Sequence, residues 1–464
     1  MKIKINNVEY SAKIGETILD VCKRERIRIP TLCAYKNLNR EAVCRMCLVE
    51  VNKSDSLVTS CSFKVCGGLE VTTESERIQK ARKVSLELLF ADHAGKCVKC
   101  RKNRRCELQN LAEENKIDNF HFVPKKDEIG SADELDLLKD NRSRLVFEDN
   151  NRVITRTTEY CISCRRCVNV CPTQEFGLSR RAADTVVGTP YGKELDCIFC
   201  GACVRACPTG ALTDHGDIVK AQDELDNLNK LAVAIVDETV LRNIADEIGG
   251  LPAGDVSGEV IGYLHELGFE KVFSLSFGLG KWIESAKEKM ENRKRPIISD
   301  YCPSVAIYVK KYFPSLADNL LGVPTPDDIM ARYIKNEYAD KEKIDADNIV
   351  VISISGCLAK RKTKGRYLDH VMSPSQIGRM VRVKKIGKVE KGKFDHLAKE
   401  DMHPDAYSMN RKGGVANALS SGISDARAAS GIKDIKRILE DMDRGNAEYD
   451  FADLMVCDGG CENK

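Results

Sequence analysis

Eight cysteines between residues 161 and 207 fall into two runs of the same spacing, C-x2-C-x2-C-x3-C-P. The first is Cys161, Cys164, Cys167 and Cys171 before Pro172; the second is Cys197, Cys200, Cys203 and Cys207 before Pro208. Thiolates at these intervals are soft ligands suited to iron, and the pattern is that of cubane iron–sulfur sites, not of the looser ligand pairs of zinc. The chain holds 21 cysteines: nine before residue 107, eight in this block and four between 302 and 461. Cys33, Cys44, Cys47 and Cys61 are spaced C-x10-C-x2-C-x13-C. His93, Cys97, Cys100 and Cys106 follow as H-x3-C-x2-C-x5-C, and Cys302, Cys357, Cys457 and Cys461 are scattered late in the chain. Only Cys22 and Cys66 remain outside these sets. Thiols grouped in this way point to metal ligation rather than disulfides.

The elements that must position these groups are legible in outline. KIKI and VEY, parted by Asn6-Asn7, alternate as a short hairpin, and Thr17 caps a helix that buries Ile18, Val21 and Cys22. Residues 77–92 read as an amphipathic helix with Val84, Leu88 and Leu89 inward. A basic set, Lys96, Lys99, Arg101, Lys102, Arg104 and Arg105, surrounds the third group, where it offsets cluster charge or docks an acidic carrier. Residues 110–158 are polar and charge-rich. Tyr160 and Phe199 adjoin cysteines and read as apolar shielding.

After Cys207 the character changes. KLAVAIV, KVFSLS, NIVVISIS and DFADLMV are apolar strands alternating with helical patterns, which indicates an α/β domain with a mostly parallel sheet. Cys302, Cys357, Cys457 and Cys461 stand at its strand ends, where such folds build sites. Neither FGLGKW nor GGLPAG fits a dinucleotide fingerprint. His121, His215, His265, His370, His396 and His403 read as surface or packing residues; His396 and His403 also lie near Asp395 and Asp401, where an added metal is the alternative.

At 464 residues, two to four domains are expected, and a formal charge of +3 gives no argument for nucleic acid. No apolar run is long enough to span a membrane, and the start lacks the apolar core of a signal peptide, so a cytoplasmic protein is expected.

The central block resembles two-cluster ferredoxins. That resemblance implies one [4Fe–4S] cluster on Cys161, Cys164, Cys167 and Cys207, and another on Cys197, Cys200, Cys203 and Cys171, because the fourth cysteine of each run serves the opposite cluster. The N-terminal part resembles the ferredoxin-like region shared by iron-only hydrogenases and the large iron–sulfur subunit of complex I. It implies a [2Fe–2S] cluster on Cys33, Cys44, Cys47 and Cys61, and a [4Fe–4S] cluster on His93, Cys97, Cys100 and Cys106. Nearly the whole chain is similar to the catalytic subunit of modular [FeFe] hydrogenases, of the type found in trimeric electron-bifurcating complexes.

In that family the last domain carries a four-iron cubane bridged to a di-iron unit bearing carbon monoxide and cyanide. The cubane ligands match Cys302, Cys357, Cys457 and Cys461, with Cys461 at the bridging position, and Lys360 matches the lysine that binds a cyanide. The surroundings depart from the pattern. Tyr301 stands where the family passes protons through a cysteine, Ser299-Asp300 replaces a Thr-Ser pair, and Ser355 and Gly356 replace a Met-Pro pair. Thr363 stands for a carboxylate, and the chain is short between Gly365 and Gly413 and after Cys461.

The expected architecture is a multidomain α+β protein. A β-grasp [2Fe–2S] domain covers 1–76, a His/Cys3 [4Fe–4S] domain 77–116, a connector 117–150, and a two-cluster ferredoxin domain 151–220. A shortened hydrogenase-like α/β domain with one [4Fe–4S] covers 221–464. One [2Fe–2S] and four [4Fe–4S] clusters are expected, without the di-iron subcluster. The resemblance implies an electron-transfer subunit of a bifurcating NAD(P)H- and ferredoxin-linked oxidoreductase. Its partners would be an NADH- and flavin-binding iron–sulfur subunit, a thioredoxin-like [2Fe–2S] subunit, ferredoxin and a further dehydrogenase or reductase subunit. A pared-down working hydrogenase, or a redox sensor or cluster scaffold, are the alternatives.

Overall fold

The computed structural model describes residues 1–117 apart from 37, 39, 53, 92, 94–95 and 98–99, and then 153–179, 186–189, 195–216, 218–397 and 406–461. The connector beyond residue 117, with Lys99, His121, Asp401 and His403, lies outside the described residues. The chain divides into two units, 1–196 with 202–213 and 197–201 with 214–464. Among the described residues no helix is long and apolar enough to cross a membrane.

The first unit opens on a five-stranded sheet. β1 (Lys2–Ile5) and β2 (Val8–Ser11) form the hairpin, turned at Asn6 and Asn7 with φ of 48° and 67°. Asparagine tolerates this left-handed region better than most residues, which is why it serves in two-residue turns. α1 (Ile18–Arg24) begins at a capping box in which Thr17 and Asp20 satisfy each other's amides. It buries Ile18, Val21 and Cys22 against the sheet. β3 (Leu48–Val51), β4 (Val58–Thr59) and β5 (Glu70–Thr72) complete the order β2-β1-β5-β3-β4, with β5 parallel to β1. This is the β-grasp arrangement.

α2 (Glu76–Ala91) forms where the periodicity places a helix, but its inward face is not the expected one. Val84 and Leu88 are exposed, and the buried stripe is Ile78, Arg82, Leu86 and Phe90, with Glu87 beside it. Leu89 packs only partly against the core. Arg82 belongs inside because its guanidinium donates to the Leu48 and Thr73 carbonyls, at 2.9 and 3.1 Å, and to Glu74. A buried charge that is hydrogen-bonded in this way escapes the usual penalty.

α3 (Glu107–Glu114) starts at Cys106, β6 (Ile154–Arg156) follows, and α4 (Arg166–Val170) carries Cys167. β7 (Gly177–Ser179) and β8 (Val186–Gly188) form a small hairpin, and α5 (Ala202–Ala206), carrying Cys203, packs on α4. β9 (Leu212–Asp214) pairs with β6. Both cysteine runs adopt the same local turn. The residues flanking their second cysteine are left-handed: Ser163 and Arg165 around Cys164, Phe199 and Gly201 around Cys200. Such strained backbone persists where a ligand clamp requires it.

In the second unit the expected strands all form, but in two parallel sheets. α6 (Ile218–Leu225) leads into β10 (Leu231–Val236), then α7 (Leu241–Ile248), α8 (Ser257–Leu267) and β11 (Lys271–Ser274). α9 (Ser276–Met290) precedes β12 (Ile297–Ile298), α10 (Pro303–Tyr312) and α11 (Pro326–Tyr333). β13 (Ile349–Ile354), α12 (Leu358–Thr363), β14 (His370–Met372) and α13 (Pro374–Val383) come next. α14 (Gly414–Ala418), β15 (Ala426–Ser430), α15 (Ile432–Asp443) and β16 (Phe451–Met455) end the described chain.

One sheet has the order β11-β10-β13-β14, the other β12-β16-β15. Both faces of the first are covered. Val233, Ile235 and Val351 join the core around Trp282, while Ala232, Ala234, Val236, Val350 and Ile352 join the core around Leu264. Burial on both faces explains why these strands read as continuous apolar runs.

Candidate iron–sulfur sites

The first set sits in the β-grasp domain. Cys33, Cys44, Cys47 and Cys61 are all buried, between 0 and 5 % exposed. Their thiols contact one another, Cys33 with Cys44 and Cys61, and Cys47 with Cys61. The Cys33 amide donates to Cys44 Sγ at 3.3 Å. Contacts from the Cys44 and Cys61 thiols hold Cys33 well below the ordinary thiol range, and those same contacts with burial push Cys44 and Cys61 up. A donor set of four converging thiols, none in a disulfide, fits a two-iron cluster. Cys22 is buried in the helix and Cys66 is exposed, so both stand apart from the set.

The second set lies where α2 ends and α3 begins. His93, Cys97, Cys100 and Cys106 line one small cavity with Phe90, Leu108 and Tyr160. His93 Nε2 lies 3.1 Å from the Tyr160 carbonyl. A carbonyl only accepts, so Nε2 carries the proton and Nδ1 has the lone pair a metal needs. Cys106 is the N-cap of α3. Its thiol is raised by burial, against the opposing pull of nearby amides.

The third set is a juxtaposition that no local pattern contains. Cys161, Cys164, Cys167 and Cys207 line one cavity with Arg156, Phe176 and Val187. Burial and mutual repulsion raise Cys161, push Cys164 up to about 12, and lift Cys167 well above the usual thiol value. Metal loading here must displace those protons. Arg166, between two of these cysteines, was not legible as structural. It is 2 % exposed, donates two parallel hydrogen bonds to the Glu107 carboxylate at 2.8 and 2.7 Å and another to the Ala206 carbonyl, and lies over the Tyr35 ring at 5.1 Å.

Of the fourth set, Cys171 and Cys203 lie in the first unit and Cys197 and Cys200 in the second. The Glu175 amide donates to Cys171 Sγ at 3.3 Å, and the Phe199 amide to Cys197 Sγ at 3.1 Å. Ile198 is fully buried and Cys200 partly buried in the same core as Cys302, Val305 and Leu439.

The fifth set gathers at strand ends of both parallel sheets. Cys302 follows β12, Cys357 follows β13, and Cys457 and Cys461 follow β16. Burial raises the Cys302 thiol first, and the neighbouring charges of Cys461, Cys357 and Cys457 add to it. Cys302 and Cys357 are the N-caps of α10 and α12, so both sulfurs sit at the partially positive ends of helices.

Around this set the side chains are engaged with each other. The Tyr301 hydroxyl donates to Asn410 Oδ1 at 2.8 Å, and its ring meets Trp282 edge to face at 5.4 Å. Lys360 Nζ lies 2.6 Å from Asp327 Oδ2. The Ser355 hydroxyl accepts from the Cys357 amide, and Asp300 accepts from the Gly322 amide at 2.8 Å. Neither Asp327 nor Asn410 was singled out by the sequence. Two of the described histidines have clear partners: His265 bonds the Phe269 carbonyl and His370 bonds Glu224. Asp395 bonds Lys271 and the Val272 amide.

Asp453 on β16, four residues before Cys457, is another buried acid. One oxygen accepts from the Val415 and Ala416 amides at 3.1 and 3.2 Å. Burial outweighs these bonds and pushes it up to about 6. A folded-state value above the unfolded one means its stabilising contribution is complete below about pH 4 and lost as pH rises through about 6. Denaturation of wild type and Asp453→Asn across that window should show the gap widening in favour of asparagine, by about 2–3 kcal/mol at neutral pH.

Comparison with known families agrees with this layout. Residues 230–463 match the iron only hydrogenase large subunit, C-terminal domain. Residues 1–76 match a 2Fe-2S iron-sulfur cluster binding domain, 82–121 the NADH-ubiquinone oxidoreductase-G iron-sulfur binding region, and 160–211 a 4Fe-4S dicluster domain. The NADP-reducing hydrogenase subunit HndD of Solidesulfovibrio fructosivorans is 29% identical, over 99% of this chain and 87% of the relative. Iron hydrogenase 1 of Clostridium pasteurianum is 26% identical, over 99% of this chain and 88% of the relative. The NADH-ubiquinone oxidoreductase 78 kDa subunit of Candida albicans is 30% identical over 46% of this chain and 28% of its own length. The chain therefore belongs to the iron-only hydrogenase large-subunit family, as a modular member whose [2Fe–2S] and [4Fe–4S] binding domains precede the family's C-terminal domain.

Proposed function

We propose that this chain is the electron-transfer subunit of a multisubunit, electron-bifurcating oxidoreductase linked to NAD(P)H and ferredoxin, and that it makes no H2. It holds one [2Fe–2S] and four [4Fe–4S] clusters on the five sets described above. When bound, such clusters supply one-electron transfer. The chain's own residues hold them, shield them and exclude water: Leu32 and Met46 at the first set, Phe90 and Tyr160 at the second, Phe176 and Val187 at the third.

The observation that carries this reading is at the fifth set, where the thiols converge but their surroundings do not fit a di-iron unit. Tyr301 stands at the position of the proton-passing cysteine, and its hydroxyl is engaged with Asn410. Lys360, at the cyanide-binding position, is engaged with Asp327. A phenol near pKa 10 is a poor proton relay at neutral pH.

Support for the partners comes from the relatives, which include subunits named for an NADP-reducing hydrogenase and for NADH-ubiquinone oxidoreductase. They are an NADH- and flavin-binding iron–sulfur subunit, a thioredoxin-like [2Fe–2S] subunit, ferredoxin, and a further dehydrogenase or reductase subunit that takes the place of H2 chemistry. The thiol-rich composition suits the reducing cytoplasm.

Iron, acid-labile sulfide and infrared spectra of the anaerobically purified complex test the reading. About eighteen iron atoms per chain without carbon monoxide or cyanide bands is the expected result. About twenty iron atoms with those bands would restore the hydrogenase.

A further inference from the structure

The ion pair between Lys360 and Asp327 is buried on both sides, with 11 % and 1 % of the side chains exposed. Each partner is fixed in place. The Ser353 hydroxyl donates to Asp327 Oδ1. Asp327 also lies in the first turn of α11, where the helix end favours a carboxylate. The start of α11 is seated so closely on α9 that a Cβ at Gly278 would stand 2.5 Å from the Pro326 carbonyl. Lys360 lies on α12, three residues beyond Cys357. Burial works against its charge, but Asp327, Asp237 and the Cys357 thiolate outweigh that and hold it above the ordinary lysine value. A buried pair of this kind adds little net stability, because desolvation of both charges offsets their attraction. Its presence beside the fifth cysteine set therefore has another consequence, which is electrostatic.

We propose that Asp327 is a built-in counter-anion: it neutralises the Lys360 ammonium beside Cys357 and thereby excludes external anionic ligands from that side of the C-terminal cysteine set. The inference rests on the reading of that set as a plain cubane site, and adds the residue responsible for keeping it so. Asp327 acts through Lys360 and is a specificity-determining, positioning residue.

The test uses the full chain loaded anaerobically with iron and sulfide, as wild type, Asp327→Ala, Asp327→Asn and the double variant Asp327→Ala/Lys360→Met. Formate, a carboxylate small enough for the space left by the aspartate, is the probe. The readout is the midpoint potential of the C-terminal cubane, followed by electron paramagnetic resonance. The expected result is a higher potential in Asp327→Ala, because an uncompensated ammonium favours the more negative reduced cluster. Formate returns it toward the wild-type value, with half-effect at a concentration about ten-fold or more below any wild-type response, the worth of one charge-assisted hydrogen bond. Asp327→Asn raises the potential without a formate response, and the double variant shows neither effect.

An unmoved potential in an iron-replete Asp327→Ala, or a wild type that responds at the same formate concentration, overturns the inference. If Asp327→Ala does not retain iron, Asp327→Asn decides alone: a raised potential supports the role and an unchanged one overturns it. A second set of infrared spectra separates the two questions. These are spectra of wild type purified anaerobically in its native complex, alongside the loaded samples. Cyanide or carbon monoxide bands there overturn the plain-cubane reading, whereas a flat formate titration of the loaded Asp327→Ala chain, with no bands in the native wild type, overturns only the role of Asp327.

Discussion

Replacing Cys207 by serine is expected to remove the cubane served by Cys161, Cys164 and Cys167, although Cys207 belongs to the other run. The four thiols line one cavity, and the charge of Cys207 is felt by each of the other three. Serine is a harder ligand with a far higher pKa and does not replace a thiolate on iron. The loss should be about four iron atoms per chain and one [4Fe–4S] signal. Double variants make the test strict. Cys161→Ser with Cys207→Ser should lose no more iron than either change alone, whereas Cys161→Ser with Cys171→Ser should lose about eight atoms. Equal losses in the reverse pairing would show that each run serves its own cluster.

The second large effect is expected at Gly210, which follows Cys207 by three residues and borders the His93 set. A Cβ at this position would stand 2.3 Å from Cys100 Sγ, far inside contact distance, with Tyr160 Cδ2 at 3.8 Å on another side. The loop is anchored beside it, since the Thr209 hydroxyl donates to the Tyr160 carbonyl at 2.6 Å. A free thiol would rotate away, but a thiolate bound to iron is held in place. Gly210→Ala should therefore cost the His/Cys3 cluster, about four iron atoms, and leave the other signals in place. Gly67→Ala is the control, because nothing lies within 4 Å of a Cβ there. Full iron content in Gly210→Ala would mean that Cys100 does not ligate.

How much of this was legible depended on whether the information was local. The cysteine spacings, the Asn6-Asn7 turn, the Thr17 cap and the apolar strands are written within a few residues of each other, and the elements form where they were read. The inward face of α2 was misread because Arg82, a charged residue, occupies the buried stripe and takes its partners from β3 and the end of β5. Arg166 was passed over for the same reason: a charge within a cysteine run reads as solvated until Glu107 and Tyr35 are seen beside it. Asp327 is the clearest case. It lies 33 residues from Lys360 in sequence, and only the packing of α11 against β13 and α12 reveals that the two face each other. The single parallel sheet expected for the last domain became two because strand pairing is decided by crossover geometry, which periodicity does not carry.

The apolar cluster that contains Leu32, Met46, Leu86 and Phe90 also contains Cys33, Cys44, Cys106 and Cys164, which come from three different ligand sets. The protein wall behind these three sets is thus a common one, made of side chains and not of the inorganic groups. A copy that misses one group should keep that wall. Iron shortage is therefore expected to yield partly filled molecules alongside complete ones, so that scarcity lowers the quality of the copies before it lowers their number.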